Sequence, residues 1–447
     1  MCALSKPMNV LFLISDDLNS WLLEDTNRYT GKVVAPNLKS FANSGVNFKY
    51  AYTPAPVCSP SRTAFFSGVA PWKSGVYNNA QAIEESEPLS HDRAISLAGS
   101  FKKAGYNTYG YGKITHGWDQ SEHWNEKIGH KRDPAPPGAP LAGMSRGEQD
   151  WGPIHLPEAQ MNDTGGADMA IATLRQKHEK PFFLAYGLFN AHMPWYVPKK
   201  YFDKFPLDEI ILPEVKSDDL DDLPEYGKRF ARERYSGSWG TDLNEGERDH
   251  DLVVKYDQWK KGVQGYLASI SFVDTYVGEL LDGLDKSKYA DNTIIVLWGD
   301  HGWHLGEKQH WRKQALWEDT THVPFIISYP KIIAKNSICE SPVSFIDIYP
   351  TLVDLAGIPK KEVLDGKSLK ELLINPSMKW NIPVLSTYGK GNHAVRSGKW
   401  RYIQYRDGSS ELYDHQNDPN EWYNLSDKEE SQEVIKRLKK LIPVKEK

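Results

Sequence analysis

The chain has 447 residues, 40% of them hydrophobic and 25% charged, with a formal net charge of −5. That length asks for one large domain and a smaller appendage rather than a single compact core. The mildly acidic balance excludes the strongly basic surface of a nucleic-acid binder, although a local basic pocket can sit inside an acidic protein. Three cysteines, Cys2, Cys58 and Cys339, are too few for a disulfide framework and too scattered for a zinc cluster. One pair could still form. No apolar stretch approaches the length of a membrane span. The residues ahead of the first strand show no signal-peptide pattern. The expected compartment is the cytoplasm, or the periplasm or exterior if an export signal has been removed.

Taken in chain order, residues 8–15 (MNVLFLIS) read as a buried strand, and residues 106–111 as a weaker one. Further strands are expected at 181–189 (PFFLAYGLF), 292–298 (NTIIVLW) and 323–328 (VPFIIS). Continuous apolar runs of this length suit strands buried on both faces, as in a parallel sheet covered by helices. Between them, residues 90–104 form an amphipathic helix stopped by Gly105. Residues 262–284 have helical spacing, and Asp347 caps a helix that runs to Ala356 before Gly357 and Pro359. Strands alternating with helices predict an α/β fold: a large, mostly parallel mixed sheet sandwiched by helices. Residues 131–140, with four prolines, are a loop. The stretch 207–250 is too long for a plain connection and reads as an insertion over a functional face. Beyond residue 378 the texture changes. Short strand signals at 383–387, 394–396, 400–405 and 411–413, with a turn at Arg406-Asp407-Gly408, predict a small antiparallel sheet. A charged amphipathic helix follows at 426–441. The expected division is therefore a catalytic domain over 1–377 and an α+β subdomain over 378–447.

In open parallel sheets, ligands bind beyond the carboxyl ends of the strands. Asp16 and Asp17 follow the first strand, Lys113 and His116 the second, His192 the third and Asp300 and His301 the fourth. Four strands thus deliver acids, bases and cations to one edge. A lone strand-end aspartate is best read as a cap for a helix or turn. An Asp-Asp pair with an Asp-His on another strand end favours a hard divalent cation. His301 is an unusual ligand for calcium, so the residues alone leave the metal open.

Cys58-Ser59-Pro60-Ser61-Arg62 is the second element. Pro60 suits the first turn of a helix reaching Ser67, with Gly68 at its end. Cys58 then sits at a helix N-terminus, where backbone N–H groups favour an anion. A free cysteine packed as a small apolar residue and a cysteine nucleophile with a base are the other two readings.

The pattern C-x-P-x-R with its Ser-Gly stop resembles the signature of the type I, formylglycine-dependent sulfatases. The same family order holds for the strand ending in Asp-Asp, Tyr-Gly-Lys-Ile-Thr-His (111–116), Asn-Ala-His-Met-Pro (190–194) and Gly-Asp-His-Gly (299–302). It holds again for Trp311-Arg312-Lys313, Thr-His-Val-Pro (321–324) and, late in the chain, Leu412-Tyr413-Asp414 and Asp418-Pro419. Leu-Gly-Glu at 305–307, after an Asp-His pair, is most similar to the iduronate 2-sulfatase branch.

This resemblance implies an alkaline-phosphatase-like fold and a calcium ion, ahead of magnesium or manganese, held by Asp16, Asp17, Asp300, His301 and the modified Cys58. It implies that a formylglycine-generating enzyme oxidises Cys58 and that the hydrated product attacks sulfur. By the same resemblance Lys113 and Lys313 clamp the sulfate, and Arg62 orients residue 58 and adds positive potential. His192 protonates the leaving alkoxide, and His116 takes the proton that lets sulfate depart.

The substrate is less legible. Trp118, Trp124, Trp195, Trp303 and Trp311 are candidates for stacking on a sugar, and His123, His304 and His310 for meeting a uronate carboxylate. His322 reads equally well as support for the site or as core. A sulfated saccharide bearing a uronic acid is the expected substrate, and such a role favours the periplasm. A small alkyl sulfate such as choline sulfate is the simpler option. The alternatives are a phosphodiesterase or phosphonate monoester hydrolase of the same superfamily, and a non-catalytic carbohydrate-binding relic. A phosphatase with two zinc ions fits less well, since the extra ligand set is missing.

Overall fold

A computed structural model describes residues 7–23, 28–79, 95–116, 120–144, 148–232, 248–329, 335–360 and 363–447. Its main sheet has eight strands: β1 (Asn9–Ser15), β2 (Val46–Phe48), β3 (Asn107–Gly112), β4 (Glu126–Gly129), β5 (Phe182–Leu188), β6 (Thr293–Gly299), β7 (Phe325–Ser328) and β8 (Ser337–Cys339). They lie in the order β8-β2-β7-β6-β1-β5-β3-β4. All neighbours pair in parallel except at β7, which is antiparallel to both β6 and β2.

The apolar run of β1 has a direct cause. Leu11 and Leu13 enter one core with Tyr266, Leu267 and Ile270 of the helix Trp259–Asp285. Val10, Phe12 and Ile14 enter the opposite core with Phe65 and Phe66 of the helix Cys58–Ser67. Phe12 stacks on Phe65 at 5.0 Å and on Phe183 at 6.0 Å. A central strand with both faces packed carries no polar alternation.

Several elements differ from the sequence expectation. The helix expected at 90–104 is Leu97–Lys103, begun by Ser96, whose hydroxyl accepts from Gly99 N at 3.1 Å. Residues 90–94 lie outside the described residues. The Asp347 carboxylate turns back to accept from Ser344 N at 3.0 Å and Lys367 N at 2.8 Å, ahead of the helix Ile348–Leu355. Within 207–250 lie short helices at Glu225–Ala231 and Asp249–Lys255, and 233–247 are outside the described residues. The C-terminal sheet is a four-stranded antiparallel meander, β9 (Val384–Thr387), β10 (His393–Ser397), β11 (Trp400–Gln404) and β12 (Ser410–Asp414). Gly408 makes its last turn at φ 89°, a conformation that suits glycine. The tail helix is shorter than expected, Gln432–Lys439. No helix among the described residues is long and apolar enough to cross a membrane.

Candidate active site

β1 and β6 are neighbours, so their ends place Asp16-Asp17 beside Asp300-His301. Asp300 N donates to Ser15 O at 3.1 Å, which extends the ladder past the strands. The Asp300 Oδ1 then accepts from Asp17 N at 3.1 Å and His301 N at 3.0 Å. Asp17 sits at φ 52°, a left-handed turn that aspartate tolerates. Tyr266, fully buried in the helix Trp259–Asp285, holds that turn. Its hydroxyl donates to Asp17 O at 2.7 Å and accepts from Asn19 N at 3.0 Å.

Cys58 opens its helix, with Gly68 in the left-handed conformation at the other end. Lys313 Nζ lies 3.0 Å from Cys58 Sγ, and His301 Nε2 lies 3.3 Å from it. Arg62, four residues on and therefore on the same helical face, is buried too. Its Nε donates to Asp300 Oδ2 at 2.8 Å, and its guanidinium stands 3.6 Å from Asp16 Oδ1. It also donates to the carbonyls of Lys113 and Ile114. Arg62 straps the two carboxylates to the β3 loop.

Lys113 pairs with Asp16, and Lys313 with Asp17 at 3.0 Å. Burial would raise the Cys58 thiol, but Lys113, Lys313 and His301 overcome it and hold the thiol well below its ordinary range, with a further hydrogen bond from His116. Burial and the Cys58 charge would also raise Asp16, yet Lys113 and Arg62 keep it ionised below the carboxylate range.

His192 lines a cleft of about 450 Å³ with Lys113, His116, His130 and Arg132. Its Nδ1 donates to Met193 O, which leaves Nε2 for the cleft. The loop that carries it is fixed by buried Asp163, which accepts from Phe189 N (2.8 Å), Asn190 N (3.0 Å) and Asn190 Nδ2 (2.9 Å). Asp163→Asn is expected to misplace His192 and lower kcat by about 10²-fold with a smaller change in KM. Steady-state kinetics with an aryl sulfate checks this. An equal loss in a His192→Ala background would show that Asp163 acts elsewhere.

The donor set fits a cation. One ligand atom each from Asp16, Cys58, Asp300 and His301 lies within 4.8 Å of the others. Asp16 Oδ1 and Asp17 Oδ2 are buried without a hydrogen bond. Burial, then the negative charge of Asp16, pushes Asp300 up to about 7. Crowded carboxylates with oxygens left unbonded suit a hard ion.

Other expectations fare differently. Trp124, Trp195, Trp303 and Trp311 are buried in the two cores, where apolar packing takes their faces, and Trp118 is outside the described residues. His304 and His310 are fully buried, and His123 is held by Ser96 Oγ at 2.8 Å, so none of the three lines the cleft. His322 bonds Ser20 Oγ (3.0 Å) and Lys49 O (2.6 Å) and belongs to packing beneath the site. His130 and Arg132 were missed. They follow β4, a parallel strand like the others, but β4 is an exposed edge and gives no apolar signal.

The "Sulfatase" family profile matches residues 8–358, and the profile "N-sulphoglucosamine sulphohydrolase, C-terminal" matches residues 306–447. The chain belongs to the sulfatase family. A sulfatase of Formosa agariphila is 36% identical over 453 residues, covering 98% of this chain and 86% of that one. Human iduronate 2-sulfatase is 31% identical over 401 residues, covering 78% of this chain and 69% of its own. The solved phosphonate monoester hydrolase of Silicibacter pomeroyi superposes with a TM-score of 0.79 at 20% identity, over 97% of this chain and 94% of that one. That likeness shows a shared alkaline-phosphatase-type fold. As a sulfatase, the chain is a sulfuric ester hydrolase, and the cleft lined by Lys113, His116 and His192, beside buried Cys58, is its candidate reaction chamber.

Proposed function

We propose that this sulfatase hydrolyses a sulfate ester on a saccharide, with formylglycine made from Cys58 and with calcium in the Asp16–Asp17–Asp300–His301 cluster. The observation that carries the reading is the place of Cys58: buried at a helix start, close to Lys313 and His301, in one cluster with Asp16, Asp300 and His301 that could hold a metal ion. A hydrated formylglycine supplies a hydroxyl nucleophile and an exit for sulfate by return to the aldehyde. A divalent cation supplies positive charge where the sulfate oxygens and the nucleophile meet.

The protein's own residues do the rest. Lys113 and Lys313 reach Asp16 and Asp17 in this state and are placed to turn to sulfate oxygens, where charge develops. His192, fixed through Nδ1, offers a proton from Nε2 to the leaving sugar oxygen, which departs poorly without one. His116, hydrogen-bonded to residue 58, accepts the proton released there. Arg62 contributes rigidity by holding Asp300 and Asp16 in register.

The test is ion chromatography of the anions released from matched sulfated and phosphorylated saccharides, using protein co-produced with a formylglycine-generating enzyme. Sulfate release is the expected result. Phosphate release alone would move the chain's chemistry to phosphoryl transfer. A second measurement addresses the cation. At free calcium about 100 times its Kd, the protein is expected to gain about 2.7 kcal/mol of stability over the chelated form. A thermal-shift titration after chelation checks this, and equal stabilisation by magnesium would argue against calcium.

A further inference from the structure

Resting on the sulfated-saccharide reading, we propose that Arg132 binds a carboxylate on the substrate beside the scissile sulfate, and that a second cavity behind it takes the adjoining sugar. Behind the cleft of His192 lies a cavity of about 470 Å³. The two cavities share two lining residues, Arg132 and Glu148. These two side chains form an ion pair across the passage, with 50% and 23% of their surface exposed.

Position ties Arg132 to the reaction chamber. Its guanidinium lies over the Phe189 ring, 5.4 Å from the centroid, and Lys113 Nζ lies 5.0 Å from the same centroid. The two cations are therefore no farther apart than those two distances together, a span that one sulfated sugar residue bridges. His130 stacks on the same ring at 4.4 Å. The backbone beside Arg132 is anchored, since Asp133 Oδ1 accepts from Asn162 N at 2.9 Å.

The partner that Arg132 already has indicates what it can take. Glu148 presents a planar carboxylate to a planar guanidinium, the match that favours arginine over lysine. A half-exposed pair of this kind is weakly held, so a substrate carboxylate can replace Glu148 at small cost. The second cavity suits a sugar. Met144, Pro194 and the Tyr196 ring give it an apolar wall, and the Tyr196 hydroxyl is fixed by Asp150. The Asp150 oxygens are also taken up by Leu141 N (2.8 Å) and Ala142 N (2.6 Å), which turns them away from an incoming ligand.

The test compares mature holoenzyme on two sulfated disaccharides of the same linkage and sulfate position. One carries a carboxylate on the sulfated ring, and the other a hydroxymethyl group. A third compound carries a second sulfate there, and an aryl sulfate reports the chemistry alone. Wild type is expected to favour the carboxylated compound. Arg132→Gln should cut that preference by about 10- to 100-fold, mainly through KM, as loss of a charged hydrogen-bonded contact does. Arg132→Lys should keep part of it. Glu148→Gln should raise kcat/KM for the carboxylated compound by freeing the guanidinium. An unchanged preference in Arg132→Gln, or preference for the disulfated compound, overturns the assignment. Aryl-sulfate turnover separates this from failure of the sulfatase mechanism, in which no compound would release sulfate and the subsite would fall with it.

Discussion

Replacing Cys58 by alanine is expected to lower sulfate release by about 10⁴-fold or more, the scale seen when a covalent nucleophile is removed. The thiol is the point on which three side chains converge. Lys313 at 3.0 Å and His301 at 3.3 Å converge on Sγ, and His116 bonds to it. Alanine removes the reacting atom and leaves those groups in place, so the variant should stay folded and keep its calcium-dependent stability. Ion chromatography on protein freed of host sulfatases, alongside the thermal-shift titration, separates the two effects. Sulfate release near the wild-type rate would assign the nucleophile to another residue. Loss of calcium response together with activity would mean that Cys58 serves the cluster before it serves the reaction.

Replacing Arg401 by methionine is expected to destabilise the protein by about 3–5 kcal/mol, the usual result of breaking a buried ion pair from one side. Arg401 is buried on β11. It donates to Leu316 O at 2.9 Å and pairs with Glu318 and, at 2.8 Å, with Glu421. Burial would raise both carboxyls, but Arg401 together with His415, and His322 at Glu318, overcomes it and brings Glu421 down to about 2 and Glu318 well below its ordinary range. A carboxyl depressed in the folded state stabilises it fully above its unfolded value, near 4.5, and loses that contribution as pH falls towards 2. Wild type should therefore lose this stability progressively as pH falls from 4.5 towards 2, and Arg401→Met, which never has it, should unfold at higher pH. Urea unfolding at neutral pH and an acid titration followed by circular dichroism check both statements. An acid midpoint identical to wild type would remove Arg401 from the account.

The apolar runs of β1, β5 and β6 could be read because both faces of each strand are packed. Strand direction then did the work for the site. Once parallel strands are assumed, the residues that follow them must share an edge. Asp16, Asp17, Lys113, His192, Asp300 and His301 do meet there. β4 escaped because an exposed edge strand of sequence Glu-Lys-Ile-Gly has no apolar period, and His130 and Arg132 were lost with it. Tyr266 escaped for another reason. Its helical spacing says only that it faces inward, while its hydroxyl contacts depend on how the helix is seated. The tryptophans misled because stacking on a sugar and packing in a core need the same flat apolar face. The Glu318–Arg401 pair joins residues 83 apart and leaves no periodic trace.

The reversed direction of β7 has a practical consequence for dissecting this chain. The polypeptide enters β7 from the edge at which the other strands leave, so the approach to it crosses the reaction chamber. Along that approach Lys313 turns to Cys58, and Glu318, five residues later, turns to Arg401. Lever and fulcrum are thus carried by one short loop. A cut at the change of texture near residue 378 would strand Glu318 as a buried charge within a few residues of the lysine that serves the nucleophile. Chimaeras and split versions of this enzyme should keep both sheets together and place their junctions on exposed turns such as the one at Asp407-Gly408.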